Sequence, residues 1–141
     1  MTNEKDYEDR LASWRNFRDQ LETSPCPLDE VTSFYNSLPL EKLQTDPYDK
    51  SMWADPWTLI LENKYCQFNR VLGMCYSLQL TERFNTNNYE IHIGIDKEQS
   101  ETHYLLFVDD KVLGYGDRVI SHSDLPKTLQ SIEVHSMPRL Q

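Results

Sequence analysis

The chain reads as an α+β domain, with N-terminal helices and a long central helix packed on a small antiparallel β-meander. Three observations predict this. Apolar residues recur at three- and four-residue steps through the first half. The period drops to two at Tyr89. The breaks that follow are short enough for antiparallel hairpins rather than crossovers. Helices first and strands afterwards is the order expected of an α+β fold.

Residues 4–22 predict the first helix. Tyr7, Leu11, Trp14, Phe17 and Leu21 make one apolar stripe with charges between them. Ser24-Pro25-Cys26-Pro27 breaks it, because each proline disfavours helix in the residue before it. Leu28 to Leu38 gives a second helix, with Val31, Phe34, Tyr35 and Leu38 on one face and Pro39 as its stop. Residues 39–56 read as a loop with turn chemistry at Asp46-Pro47-Tyr48-Asp49, pinned to the core by Met52 and Trp53.

The stretch Trp53–Phe84 is the predicted hub. Asp55-Pro56 has the chemistry of a helix start, an acceptor at the cap and a proline at the first helical position. Trp57, Ile60, Leu61, Tyr65, Phe68, Leu72, Cys75 and Tyr76 then continue at helical spacing. One long helix is expected, bent near Gly73.

After the turn Asn85–Asn88, residues Tyr89, Ile91, Ile93 and Ile95 alternate with Glu90, His92 and Gly94, which predicts a half-buried strand. His103–Val108 is a second, central strand. Asp109-Asp110-Lys111 is a hairpin turn and Val112–Tyr115 a third strand. Ile132-Glu133-Val134 is a candidate edge strand in an otherwise polar C-terminal tail from residue 121. The expected organisation is one domain over 1–141, with 1–24 as a helical arm. A three-stranded meander leaves edges that another chain could complete.

Composition narrows the function classes. The 141 residues carry 23 acidic against 14 basic side chains, a net charge of -9, which disfavours a phosphate-backbone ligand. No nucleic-acid partner is expected. Nor is a membrane, since no apolar run reaches spanning length. The start MTNEKDYEDR is polar and acidic, unlike a secretion signal, and the three cysteines form no CxxC pair. Reduced thiols in a cytoplasm are the simplest expectation. Phosphate-loop, dinucleotide and zinc signatures are missing, so no cofactor is expected.

Two constellations bear on chemistry. Cys66, His103 and Asp117 follow one another as helix thiol, strand imidazole and next-strand carboxylate. This order is similar to that of the transglutaminase-like and papain-like cysteine enzymes. The similarity implies Cys66 as nucleophile, His103 as base and Asp117 as the group orienting the imidazole. Such a thiol belongs at a helix N-terminus. A continuous hub helix would put Cys66 well inside it, so this reading requires a break at Asn63-Lys64-Tyr65. The plain alternative is a buried cysteine acting as a small hydrophobe. Glu90, His92 and His103 form the other constellation, on neighbouring strands. Two or three such ligands without cysteine support arise readily by chance, and no metal site is predicted.

Eight Tyr, five Phe and three Trp are many for a chain of this size. Trp14, Tyr48, Met52 and Trp53 lie in segments open to a partner, and such residues are enriched in protein contacts.

The hub also carries a resemblance. Asp55-Pro56-Trp57, Glu62-Asn63-Lys64-Tyr65-Cys66 and Cys75–Phe84 (CYSLQLTERF) resemble an uncharacterised family from tailed phages of marine bacteria and cyanobacteria, over roughly residues 10–115. That resemblance implies a protein made in the host cytoplasm or carried in the virion. The function expected from it is a non-enzymatic, protein-binding component of the phage neck, tail or capsid surface, with a homo-oligomer among its forms. The alternatives are a transglutaminase-like cysteine hydrolase or acyltransferase, and a phage regulator that binds a host protein.

Overall fold

The computed structural model describes residues 4–42 and 45–140. Among them the helices come first: α1 (Glu4–Thr23), α2 (Pro27–Asn36), α3 (Pro56–Glu62) and α4 (Gln67–Gln79). The strands follow: β1 (Tyr89–Asp96), β2 (Glu101–Val108), β3 (Lys111–Leu113), β4 (Ile120–Ser121) and β5 (Leu129–Met137). The α+β class is therefore as the sequence indicates. The sheet is antiparallel throughout, in the order β4-β3-β2-β1-β5.

The hub is two helices rather than one. Asp55 caps α3 by accepting from the Thr58 N–H at 2.7 Å, as its sequence signature requires. At the other end Asn63 takes a left-handed conformation (φ 52°), a habit of Asn at helix ends. Lys64 and Tyr65 lie outside the helix, Tyr65 bridging to Leu40, and the helix restarts with Cys66 as the cap of α4. The apolar spacing ran on through this break, although Trp57 and Leu61 of that stripe are 49% and 46% exposed, so periodicity alone did not show it.

α4 is the centre of the molecule, with every residue from Val71 to Gln79 buried. Tyr35 of α2 packs against Gly73 so closely that a methyl group there would overlap its ring. Trp14 of α1 donates its indole N–H to Ser77 Oγ at 2.9 Å, and Tyr35 shares that hydroxyl at 2.8 Å. Trp14 is only 5% exposed, which corrects the expectation that it meets a partner. Its stripe is core packing for α1 rather than a docking face. Large side chains buried this way contribute about 2–3 kcal/mol each.

The C-terminal segment holds more structure than its polarity suggested. Leu129–Met137 pairs with all of β1 and forms one edge of the sheet. Its side chains alternate, but Ser, His, Gln and Glu occupy many positions, so the apolar signal was diluted. The helices cover one face of the sheet only. A smaller apolar cluster of Leu105, Phe107 and Val112 lies on the other face, against Tyr115, Ile120, Leu125 and Leu129.

Candidate functional site

The break before α4 leaves Cys66 at the N-terminus of a 13-residue helix, the position a cysteine nucleophile needs. The first backbone N–H groups of such a helix lack intrahelical acceptors. Cys66 is 1% exposed. Residues 38–42 and 45–53 lie along this junction: Glu41 N–H donates to Tyr65 C=O at 2.9 Å, Thr45 Oγ1 bonds Asn69 Oδ1 at 2.9 Å, and Trp53 packs on Phe68 at 4.9 Å. Arg70 ties the same segment through Leu38 C=O.

Tyr104 of β2 lies on the same side of the sheet as this thiol and within its electrostatic reach. Tyr104 packs with the helix-side core and meets the Phe68 ring edge-on at 5.4 Å. Burial raises its pKa, and the neighbouring Tyr48 hydroxyl and Cys66 thiol raise it further. The hydroxyl thus stays protonated at neutral pH and can donate a hydrogen bond.

The structure does not assemble Cys66, His103 and Asp117. Alternation along β2 sends Tyr104, Leu106 and Val108 to the helices, and His103, Leu105 and Phe107 to the opposite face. His103 lies beside Tyr115 at 5.1 Å and Glu101 at 3.5 Å. Asp117 is exposed in the loop after β3. It lines an open groove of about 930 Å³ with Pro25, Cys26 and Phe84. The order of residue types along the chain matched a cysteine enzyme, but strand parity separates them.

The other singled-out residues fall as follows. Tyr48 and Met52 are 51% and 65% exposed, whereas Trp53 is half-buried between Phe68 and His135. His92 and His103 do not form a pair. Each is held by its own carboxylate, Glu90 at 2.9 Å and Glu101 at 3.5 Å. Tyr104 is the residue that sequence reading missed at the thiol. The signal was available in the alternation, since Tyr104 shares its parity with Leu106 and Val108.

Cys66 thus stands at the start of a helix with the sheet packed across it. Among solved structures the chain is similar to calcium-bound LapG of Legionella pneumophila, with a TM-score of 0.65 and 19% identity over 92% of this chain and 75% of that one. LapG without that label matches with a TM-score of 0.63 and 18% identity over the same shares. The EGTA-treated form matches with a TM-score of 0.61 and 17% identity, over 90% of this chain and 72% of that one. LapG is a bacterial transglutaminase-like cysteine protease. At these identities the likeness establishes the fold. No family model and no curated protein matches the chain.

These findings overturn the tailed-phage resemblance, and with it the reading of a non-enzymatic component of a phage particle. Of the short hub motifs that carried it, Asp55, Asn63 and Cys66 are helix caps and Tyr65, Cys75 and Leu78 are core, in a fold shared with LapG. They report packing rather than kinship.

Calcium does not fit the residues around Cys66. Hard cations take several oxygen ligands. Lys64, Tyr65 and Gln67 flank the thiol, and Asp46, Asp49 and Asp55 nearby in the chain spend a carboxylate oxygen on backbone N–H groups. Among the described residues no three His, Cys, Asp or Glu side chains group to hold a metal ion.

Proposed function

We propose that this protein is a cysteine hydrolase or acyltransferase of the transglutaminase-like type, with Cys66 as its nucleophile. The observation that carries this reading is the position of Cys66 as the cap of α4, within a LapG-like fold. The positive end of a helix favours an anion placed there. In the reaction, Cys66 Sγ bonds to the carbonyl carbon of an amide or ester and the charge moves to the carbonyl oxygen. Tyr104, protonated and beside Cys66, supplies a donor for that oxygen. The amine or alcohol leaves with the thiol proton, relayed by solvent, and water or an amine then releases the thioester.

His103, which the transglutaminase-like order would make the base, lies on the far face of the sheet, and Tyr104 stands on the side of the thiol. Turnover is therefore expected to be slower than in a base-assisted enzyme, by about 10²–10⁴-fold. The same observation favours a second reading, in which the site holds a peptide and does not cleave it.

The test is intact-mass analysis with a peptide vinyl sulfone, alongside release from a fluorogenic acyl substrate. The hydrolase reading expects an adduct mapped to Cys66 and turnover lost in Cys66→Ser. An adduct at Cys66 without turnover supports the second reading. Labelling confined to the exposed Cys26 overturns both.

A further inference from the structure

The outer face of the sheet carries a second reactive arrangement, independent of Cys66. Ser131 Oγ lies 2.8 Å from His92 Nδ1, and His92 Nε2 lies 2.9 Å from Glu90 Oε1. Serine hydroxyl, imidazole and carboxylate thus form one hydrogen-bonded chain. The carboxylate is an acceptor only, so it takes the Nε2–H and fixes the tautomer. Nδ1 is left with its lone pair toward the Ser131 hydroxyl.

The backbone is built to make this meeting. The pairing of β1 with β5 shifts register between Ile93 and Gly94, so that Ile132 is the extra residue of a bulge. In an unshifted register Ser131 would oppose Ile95 and point to the helix side. The bulge sets Ser131 opposite Gly94 instead, on the face of His92. Gly94 leaves room here for Leu129, whose side chain would lie 3.2 Å from a Cβ at that position. His92 itself is only 9% exposed and stacks on Phe107, ring centroids 3.9 Å apart, which holds the imidazole plane. Ser131, by contrast, is exposed and lines a cavity of about 520 Å³ with Phe107, Leu125, Pro126 and Leu129.

We propose that Ser131, His92 and Glu90 form a serine esterase site for small carboxylic esters with a short apolar acyl group. The Ser131 oxygen bonds to the ester carbonyl carbon while its proton passes to His92 Nδ1. The carbon–alkoxy bond then breaks, and His92 returns the proton to the departing alcohol. Water attacks the acyl-serine with His92 again as base, which releases the carboxylic acid and restores the hydroxyl. Ser131 and His92 are catalytic residues here. Glu90, which touches neither substrate nor reacting atoms, is a positioning residue. Phe107, Leu125 and Leu129 offer the acyl chain an apolar wall, beside the polar His122 and Lys127.

The experiment uses the full chain, a fluorophosphonate probe with peptide mapping, and p-nitrophenyl butyrate hydrolysis. The expected result is one adduct per chain, mapped to Ser131. His92→Gln slows labelling about 100-fold or more, within the range of a lost general base. Glu90→Gln lowers kcat for the ester about tenfold and leaves KM unchanged, a split that a loosened strand would not give. An unlabelled chain, an adduct mapped to another residue, or labelling as fast in His92→Gln as in the unaltered chain overturns the proposal. Because the mapped adduct is read on the unaltered protein, a variant that fails to fold does not obscure the answer.

Discussion

The two faces of the sheet differ in how they are made. The helix face is packed: Ile91, Leu106, Val108 and Leu113 meet Phe68, Val71, Leu72 and Cys75 with almost no exposed surface. The outer face is half-covered, and its imidazoles His92 and His103 are tied to Glu90, Ser131 and Glu101. One strand serves both, so that neighbouring residues His103 and Tyr104 live in different chemistry. Side chains one position apart in a strand are as separate as the sheet is thick, and no reading of residue order replaces knowing the face.

The comparison predicts where change is costly. The largest effect is expected at Gly73. A methyl group there would enter the space of the buried Tyr35 ring, and Tyr35 is itself locked by Ser77. Gly73→Ala should lower stability by about 3 kcal/mol, the upper range for overpacking, read as a shift in urea midpoint with unchanged slope. A midpoint within error of the parent would mean the helix face is looser than described.

Next in size is an alkaline transition of the same face. Burial raises the phenol of Tyr65 to about 12, and raises those of Tyr35, Tyr76 and Tyr89 further. Each is neutral in the folded chain when its unfolded counterpart ionises near pH 10. The stabilisation is therefore fully present below pH 10 and is lost as pH rises through the folded values. For Tyr65 alone this amounts to about 2–3 kcal/mol by pH 12. Urea midpoints measured from pH 9 to 12 should fall, and unfolding should bring a step in tyrosinate absorbance equal to the four buried phenols. An unfolding transition without that step would show that these phenols already reach water in the folded chain.

The smallest effect belongs to the outer face. Val134 is 50% exposed on the edge strand. Val134→Thr keeps the branched shape and should change stability by about 0.5 kcal/mol or less. A loss as large as that at Gly73 would mean this face is packed by something the chain alone does not show.

Much of the fold was legible in the sequence because elements and pattern agreed. Asp55-Pro56 announced the start of α3, and the alternation from Tyr89 announced β1. What was hidden had a local cause. Asn63 in a left-handed turn interrupts the hub without disturbing its apolar spacing. The polar residues of β5 conceal a strand whose partner lies some forty residues earlier in the chain. At the candidate site, Cys66 was legible by residue type and by the break it required. Tyr104 was not, because motif order drew attention to His103 one residue before it. The bulge that brings Ser131 to His92 left no mark in the sequence, since it is a property of the pairing between two strands.

The account rests on Tyr104, rather than His103, standing beside Cys66. The direct measurement is the rate at which iodoacetamide alkylates Cys66, followed by peptide mass spectrometry across pH 5–9 in three proteins. Tyr104→His should place an imidazole at the thiol and accelerate alkylation near pH 7 about tenfold or more. His103→Gln, altered on the far face of the sheet, should leave the rate as in the unaltered chain. If His103→Gln instead slows the reaction while Tyr104→His leaves it unchanged, the assignment of faces is reversed and the account fails.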